Sequence, residues 1–155
     1  LARWLEVVHM TEPATLDGGD CMRVGDTLYV GRSARTNAAG IAQLAALGLR
    51  VVPIDLPPGV LHLKCVCSPL GDGRILLAEQ SIPAEVFDAE VVWVPASETY
   101  AANAVAIGAH AVVADGHPRT REALVAAGFT VHAVPTSEVR KADGSLTCQS
   151  IMFGA

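Results

Sequence analysis

Four residues of this 155-residue chain recur at matching intervals and differ in the chemistry they offer. Asp17, His62, Asn103 and Cys148 are separated by steps of 45, 41 and 45 residues. A thiol attacks as its thiolate, and a neighbouring imidazolium lowers its pKa and can later hand a proton to a departing amine. A carboxylate beside them holds a cationic group against the sulfur. Asp17, His62 and Cys148 together suit attack on a carbon flanked by nitrogens, such as that of a guanidinium. Asn103 shares the interval without a reactive group and reads as a polar residue serving backbone or packing.

Taken singly, each has a plainer reading. A lone Cys in an apolar strand is usually core. The His of Leu61-His62-Leu63-Lys64 would pass as a satisfied core or surface residue, and Leu16-Asp17-Gly18-Gly19-Asp20 as a turn. Equivalent placement in successive repeats is what raises them. Cys21, Cys65, Cys67, His9, His110, His117 and His132 lack that support and read as structural. Cys65 and Cys67, two apart in an apolar run, are expected on one face of a strand.

The elements that must position these residues are themselves repeated. LRVVPID (49–55), VVWVPAS (91–97) and FTVHAVPTSE (129–138) end alike, with Pro53, Pro95 and Pro135 spaced 42 and 40 apart. Before each come a strand, a turn, a second strand and a helical stretch. The turns are Val24-Gly25-Asp26, Gly71-Asp72-Gly73 and Gly108-Ala109-His110, where Gly and Asp supply hairpin backbone angles. Helices are expected at Thr36–Leu47, with Asn37 as cap, and at Pro118–Ala127, with Pro at its start and Gly128 past its end. The middle stretch, Pro83–Phe87, is short. Each unit therefore reads as strand–strand–helix–strand, and such units bury their faces only by stacking or closing into a ring. LEVVHMTEP at the start matches the end of a repeat, and SLTCQSIMF the first strand of another. Since the chain also lacks an initiator Met, residues N-terminal to Leu1 are expected in the parent protein.

Composition bounds the partners. With 51% hydrophobic residues the chain suits one globular unit, and with a net charge of -5 and no basic cluster it excludes nucleic acid as a partner. No apolar run approaches the ~18 residues that span a bilayer, so no membrane association is expected. The N-terminus, with Arg3 and Glu6, lacks a cleavable signal. The four cysteines form no CxxC or Cys/His metal spacing, and are expected as reduced thiols in a cytoplasmic protein.

Four phrases, ATLDGGD (14–20), VGRSARTN (30–37), LHLK (61–64) and KADGSLTCQS (141–150), resemble the dimethylarginine dimethylaminohydrolases in order and spacing as well as in type. The resemblance implies an α/β fold, the pentein-type propeller of repeated ββαβ modules. Residues 1–155 would form one partial propeller domain resembling the C-terminal three-fifths of the family, with repeats at 15–57, 58–97 and 98–138 and the start of another at 139–155. The N-terminal modules, which in the family add acidic residues and another arginine to the pocket, would be missing. It implies hydrolysis of Nω-methylated arginines to citrulline and a methylamine, without metal or organic cofactor. Cys148 would be the nucleophile, His62 the acid and base, and Asp17 the group orienting the guanidinium and His62. Arg35 would bind the substrate α-carboxylate, and the Ala142 carbonyl would accept from its α-amino group.

Arginine deiminases share the Gly-Gly-Asp and Cys elements, but typically place an Asp two residues after the histidine, where this chain has Lys64. Amidinotransferases are longer and match the local motifs less well. Behind methylarginine hydrolysis stand a deiminase or other amidine hydrolase, and an inactive propeller fragment acting as a binding piece. Unpaired sheet edges make a complementary N-terminal segment or a second copy the expected macromolecular partner.

Overall fold

The corner at Gly25 sets the pattern for the chain. Its φ of +54° is a left-handed angle that glycine adopts without strain. There strand β1 (Cys21–Val24) folds back on β2 (Thr27–Arg32), antiparallel, with Cys21 opposite Val30. Helix α1 (Ala38–Ala46) then carries the chain across to β3 (Arg50–Asp55), which runs parallel to β2. A parallel neighbour needs such a crossover, whereas an antiparallel one needs only a turn.

The computed structural model describes residue 3 and residues 6–152. Among them the strand pattern of this unit occurs three times, as three sheets of three strands, with an α-helical crossover in the first and third. The second sheet comprises β4 (Cys67–Gly71), β5 (Arg74–Ala78) and β6 (Glu90–Val94). The third comprises β7 (Val105–Ile107), β8 (His110–Ala114) and β9 (Thr130–Val134), with α2 (Pro118–Ala126) as its crossover. In every sheet the first pairing is antiparallel and the second parallel. These are modules of the pentein-type α/β propeller, the first and third complete as ββαβ. Among the described residues no helix is long and apolar enough to cross a membrane.

The inner strands β1, β4 and β7 pack side by side and bring the module fronts together. Met22, Leu70, Ile75, Leu77, Val94 and Leu124 are buried in one continuous core, each contributing roughly 1.5–3 kcal/mol. Tyr29 of the first module packs on Phe87 of the second, ring centroids 5.1 Å apart, and its hydroxyl accepts from Asp88 N at 2.8 Å. Arg74 of the second donates to the Ala127 carbonyl of the third at 2.8 Å and lies 4.6 Å over the Phe129 ring.

Several local expectations are corrected. The middle crossover contains only a 3-10 turn, Ala84–Val86, entered by Pro83 and pinned by buried Ile82 and Phe87. Cys65 closes a separate 3-10 turn, Leu63–Cys65, while Cys67 opens β4, so the two do not share a strand. Thr147–Gln149 is likewise a 3-10 turn, and the described parts of the expected partial ends, 6–13 and 145–152, contain no strand. Leu5 and Phe153, which belong to those ends, lie outside the described residues. Helix α3 (Ser137–Lys141) lies in a segment for which no helix was expected.

Candidate active site

The DGGD phrase folds as one 3-10 turn, Gly18–Asp20, that does two things at once. At its entrance Asp17 Oδ1 accepts from Gly19 N at 2.8 Å, which leaves Oδ2 toward Arg35 and His62. This hydrogen bond is the largest of the effects that hold the Asp17 carboxyl below its usual pKa; burial opposes it, and the charges of His62 and Arg35 add to it. At its exit Asp20 is fully buried. It accepts from the hydroxyls of Ser33 and Thr36, both at 2.6 Å, and from Leu63 N at 3.1 Å. A buried carboxylate requires such partners.

Asp20 thereby organises two further segments. Ser33 and Thr36 close a tight bridge that projects Arg35, whose own N–H donates to Ser33 Oγ at 3.0 Å. The Arg35 guanidinium comes to 3.7 Å of Asp17 Oδ2 and is well exposed. Leu63 N fixes the start of the next 3-10 turn, just after His62. The imidazole, 12% exposed, stands between two carboxylates, with Nε2 3.8 Å from Asp17 Oδ2 and Nδ1 3.3 Å from Asp20 Oδ1. Nδ1 is buried and makes no hydrogen bond of good geometry. Gly19 lies against the ring, where an added Cβ would fall 2.9 Å from His62 Cγ.

Cys148 sits in the Thr147–Gln149 turn and is exposed. All four cysteines are free. Burial pushes the Cys21 thiol up to about 11 and raises Cys65 and Cys67 as well, so these three stay protonated near neutrality. A cavity of about 720 Å³ is walled by Asp17, Arg35, His62, Lys64, Ala142 and Cys148. A second, of about 400 Å³, shares His62 and Cys148 and is walled by Val60, Val66, Tyr100 and Asn103. Among the described residues no group of three or more His, Cys, Asp or Glu could hold a metal ion.

The structure thus brings the expected site residues Asp17, Arg35, His62, Ala142 and Cys148 to one cavity, and Asn103 to the adjoining one. Asp20 escaped the sequence reading because its phrase also describes an ordinary turn. Only burial reveals a carboxylate that anchors the histidine and arginine segments together. Gly19 escaped for the same reason. A thiol, an imidazole flanked by carboxylates, and an exposed guanidinium at one opening can hold a cationic amidine carbon against sulfur and transfer a proton to a leaving nitrogen.

No protein-family model matches the chain. It is 38% identical over 153 residues to an N(G),N(G)-dimethylarginine dimethylaminohydrolase of Pseudomonas aeruginosa, covering 96% of this chain and 60% of that relative. It is 40% identical over 146 residues to the enzyme of that name from Streptomyces coelicolor, covering 90% and 55%. The chain therefore spans three-fifths or less of these relatives' length. Among solved structures, a cysteine-to-serine variant of the Pseudomonas aeruginosa enzyme, complexed with citrulline, superposes with a TM-score of 0.79 at 39% identity, covering 86% of this chain and 54% of that one. An arginine dihydrolase from cyanobacteria, at 23% identity and a TM-score of 0.85 over 95% of this chain and 25% of that one, shares the fold.

Proposed function

We propose, from a chain similar to dimethylarginine dimethylaminohydrolases in sequence and in fold, that it carries the reacting groups of such a hydrolase and acts on Nω-methylated arginines. The observation that carries this reading is the common cavity of Asp17, His62 and Cys148, with Arg35 and Ala142 on its wall. Lys64 lines the same cavity two residues after His62, where a deiminase would place an Asp to grip unsubstituted guanidinium nitrogens.

In the proposed reaction the Asp17 carboxylate, low in pKa, holds the substrate guanidinium by charge-assisted hydrogen bonds. Arg35 pairs with the α-carboxylate, for which its planar fork is suited. The Cys148 thiolate attacks the guanidinium carbon and forms a C–S bond. The C–N bond to the methylated nitrogen breaks as His62 gives that nitrogen its proton, and a methylamine departs. His62, now neutral, takes a proton from water. The water oxygen adds to the thiouronium carbon, the C–S bond breaks, and citrulline leaves with the thiolate restored.

Citrulline release from asymmetric dimethylarginine and from arginine, by this chain and by Cys148→Ser, tests the reading. Release from the methylated substrate alone, abolished in the variant, is expected. Release from arginine instead would favour a deiminase. A chain that releases citrulline from neither, and whose Cys148 is alkylated no faster than an ordinary thiol, would sink the proposal.

A further inference from the structure

Hydrogen bonds run from each module front to the next. Asp20 of the first accepts from Leu63 N of the second at 3.1 Å. In the third module the same interval is held by Asn103, 5% exposed, which has no part in the chemistry above. Its Nδ2 donates both to the Lys64 carbonyl and to Thr147 Oγ1, each at 2.8 Å, and its Oδ1 accepts from Thr147 N at 2.9 Å. One carboxamide thus binds the turn that follows His62 and grips, at two points, the residue before Cys148. The task needs one acceptor and two donors on a single short side chain, which Asn supplies and Asp, Ser and Ala do not. The neighbouring Tyr100 adds a further hold on the same loop, its hydroxyl donating to the Gly144 carbonyl at 2.9 Å.

We propose that Asn103 is the positioning residue for the nucleophile, clamping the Thr147–Gln149 turn to the Leu63–Cys65 turn and so fixing Cys148 relative to His62. This rests on reading Cys148 and His62 as nucleophile and acid–base. The hydrogen bonds of Asn103 go to Thr147 and Lys64, and it acts through them. Without it the Thr147–Gln149 turn loses both ties to Asn103, and the place of Cys148 across the cavity from His62 is no longer fixed.

The test is alkylation of Cys148 by chloroacetamidine, which carries an amidinium, and by neutral iodoacetamide, followed by mass spectrometry across the neutral pH range. In Asn103→Ala and Asn103→Asp the rate ratio of the two reagents is expected to fall about tenfold or more, and the pH midpoint of Cys148 alkylation to rise. For citrulline release kcat falls while KM holds. Thr147→Val, which keeps the backbone donor and loses only the hydroxyl, should move the same readouts less, and should add little on top of Asn103→Ala. If Asn103→Ala does not fold, Thr147→Val decides the matter. A wild-type chain without amidine preference defeats the functional reading and this inference with it. A preference and pH midpoint kept intact in the variants defeat the inference alone.

Discussion

At the scale of single residues, Gly19 leaves no free space beside His62. A Cβ there would meet Cγ at 2.9 Å and Cδ2 at 3.0 Å, with Asp17 Oδ1 at 3.1 Å on its other side. Gly19→Ala should therefore displace the imidazole, not the fold. We expect kcat for citrulline release to drop about a hundredfold, the cost typical of an ångström of misplacement, with the urea midpoint little changed. An unaltered kcat would show that the ring has room to give. That Asp17, His62 and Cys148 converge on one cavity was legible in the sequence, because a shared interval set them apart from ordinary turn, surface and core residues. Gly19 and Asp20 were not, since their work depends on neighbours over 40 residues away in sequence: 43 separate Asp20 from Leu63. Asn103 was legible as a position and as a polar group, but its three bonds belong to segments that only the fold brings near.

Among the elements, α2 draws its cap from outside itself. His117 offers no side-chain cap, and Pro118 has no N–H to satisfy. Buried Glu98, from the preceding 3-10 segment Ala96–Ala102, accepts from Arg119 N at 3.2 Å, from Thr120 N at 2.8 Å and from Thr120 Oγ1 at 2.7 Å. Burial works to raise the Glu98 pKa, but these bonds and the His117 charge outweigh it and hold the carboxyl below its usual value. A depressed folded pKa stabilises the protein above the unfolded value of about 4.5, and that stabilisation is lost as pH falls through the lower folded value. Glu98→Gln should lose about 1–3 kcal/mol at neutral pH and show a shallower loss of stability on acidification, read from urea unfolding at a series of pH values. An acid limb as steep as the parent's would place the titrating group elsewhere. Helices α1 and α2 were legible because Asn37 and the Pro118–Gly128 pair punctuate them. The middle crossover was not, because a buried Ile82 and Phe87 flanking a short segment leave no apolar period to read. The 3-10 turns at His62 and Cys148 also defeat a pattern reading. Their conformation is set by bonds to other modules, and the local sequence alone reads as strand.

For the whole molecule, three modules with one topology meet through an apolar core and a few polar ties. Tyr29 to Asp88 is such a tie, at 2.8 Å. Tyr29→Phe keeps the ring packing on Phe87 but strands the Asp88 N–H, and should cost about 1 kcal/mol in urea unfolding while leaving the amidine preference of Cys148 as it was. A loss of that preference would mean that the tie reaches the site. The repeat itself was plain in the sequence; how the modules lean on one another was not, since the periodic prolines and turns mark units and say nothing of angles between them. The ties between module fronts close loops of 43, 39 and 44 residues, whereas each hairpin closes over a single turn. Loops of that length form after the local pairs. Cys148 also follows Asp17 and His62 in the sequence, so it emerges from a ribosome after them. A partly made chain thus carries its first sheets and the His62 imidazole before Cys148 arrives to complete the wall of their common cavity.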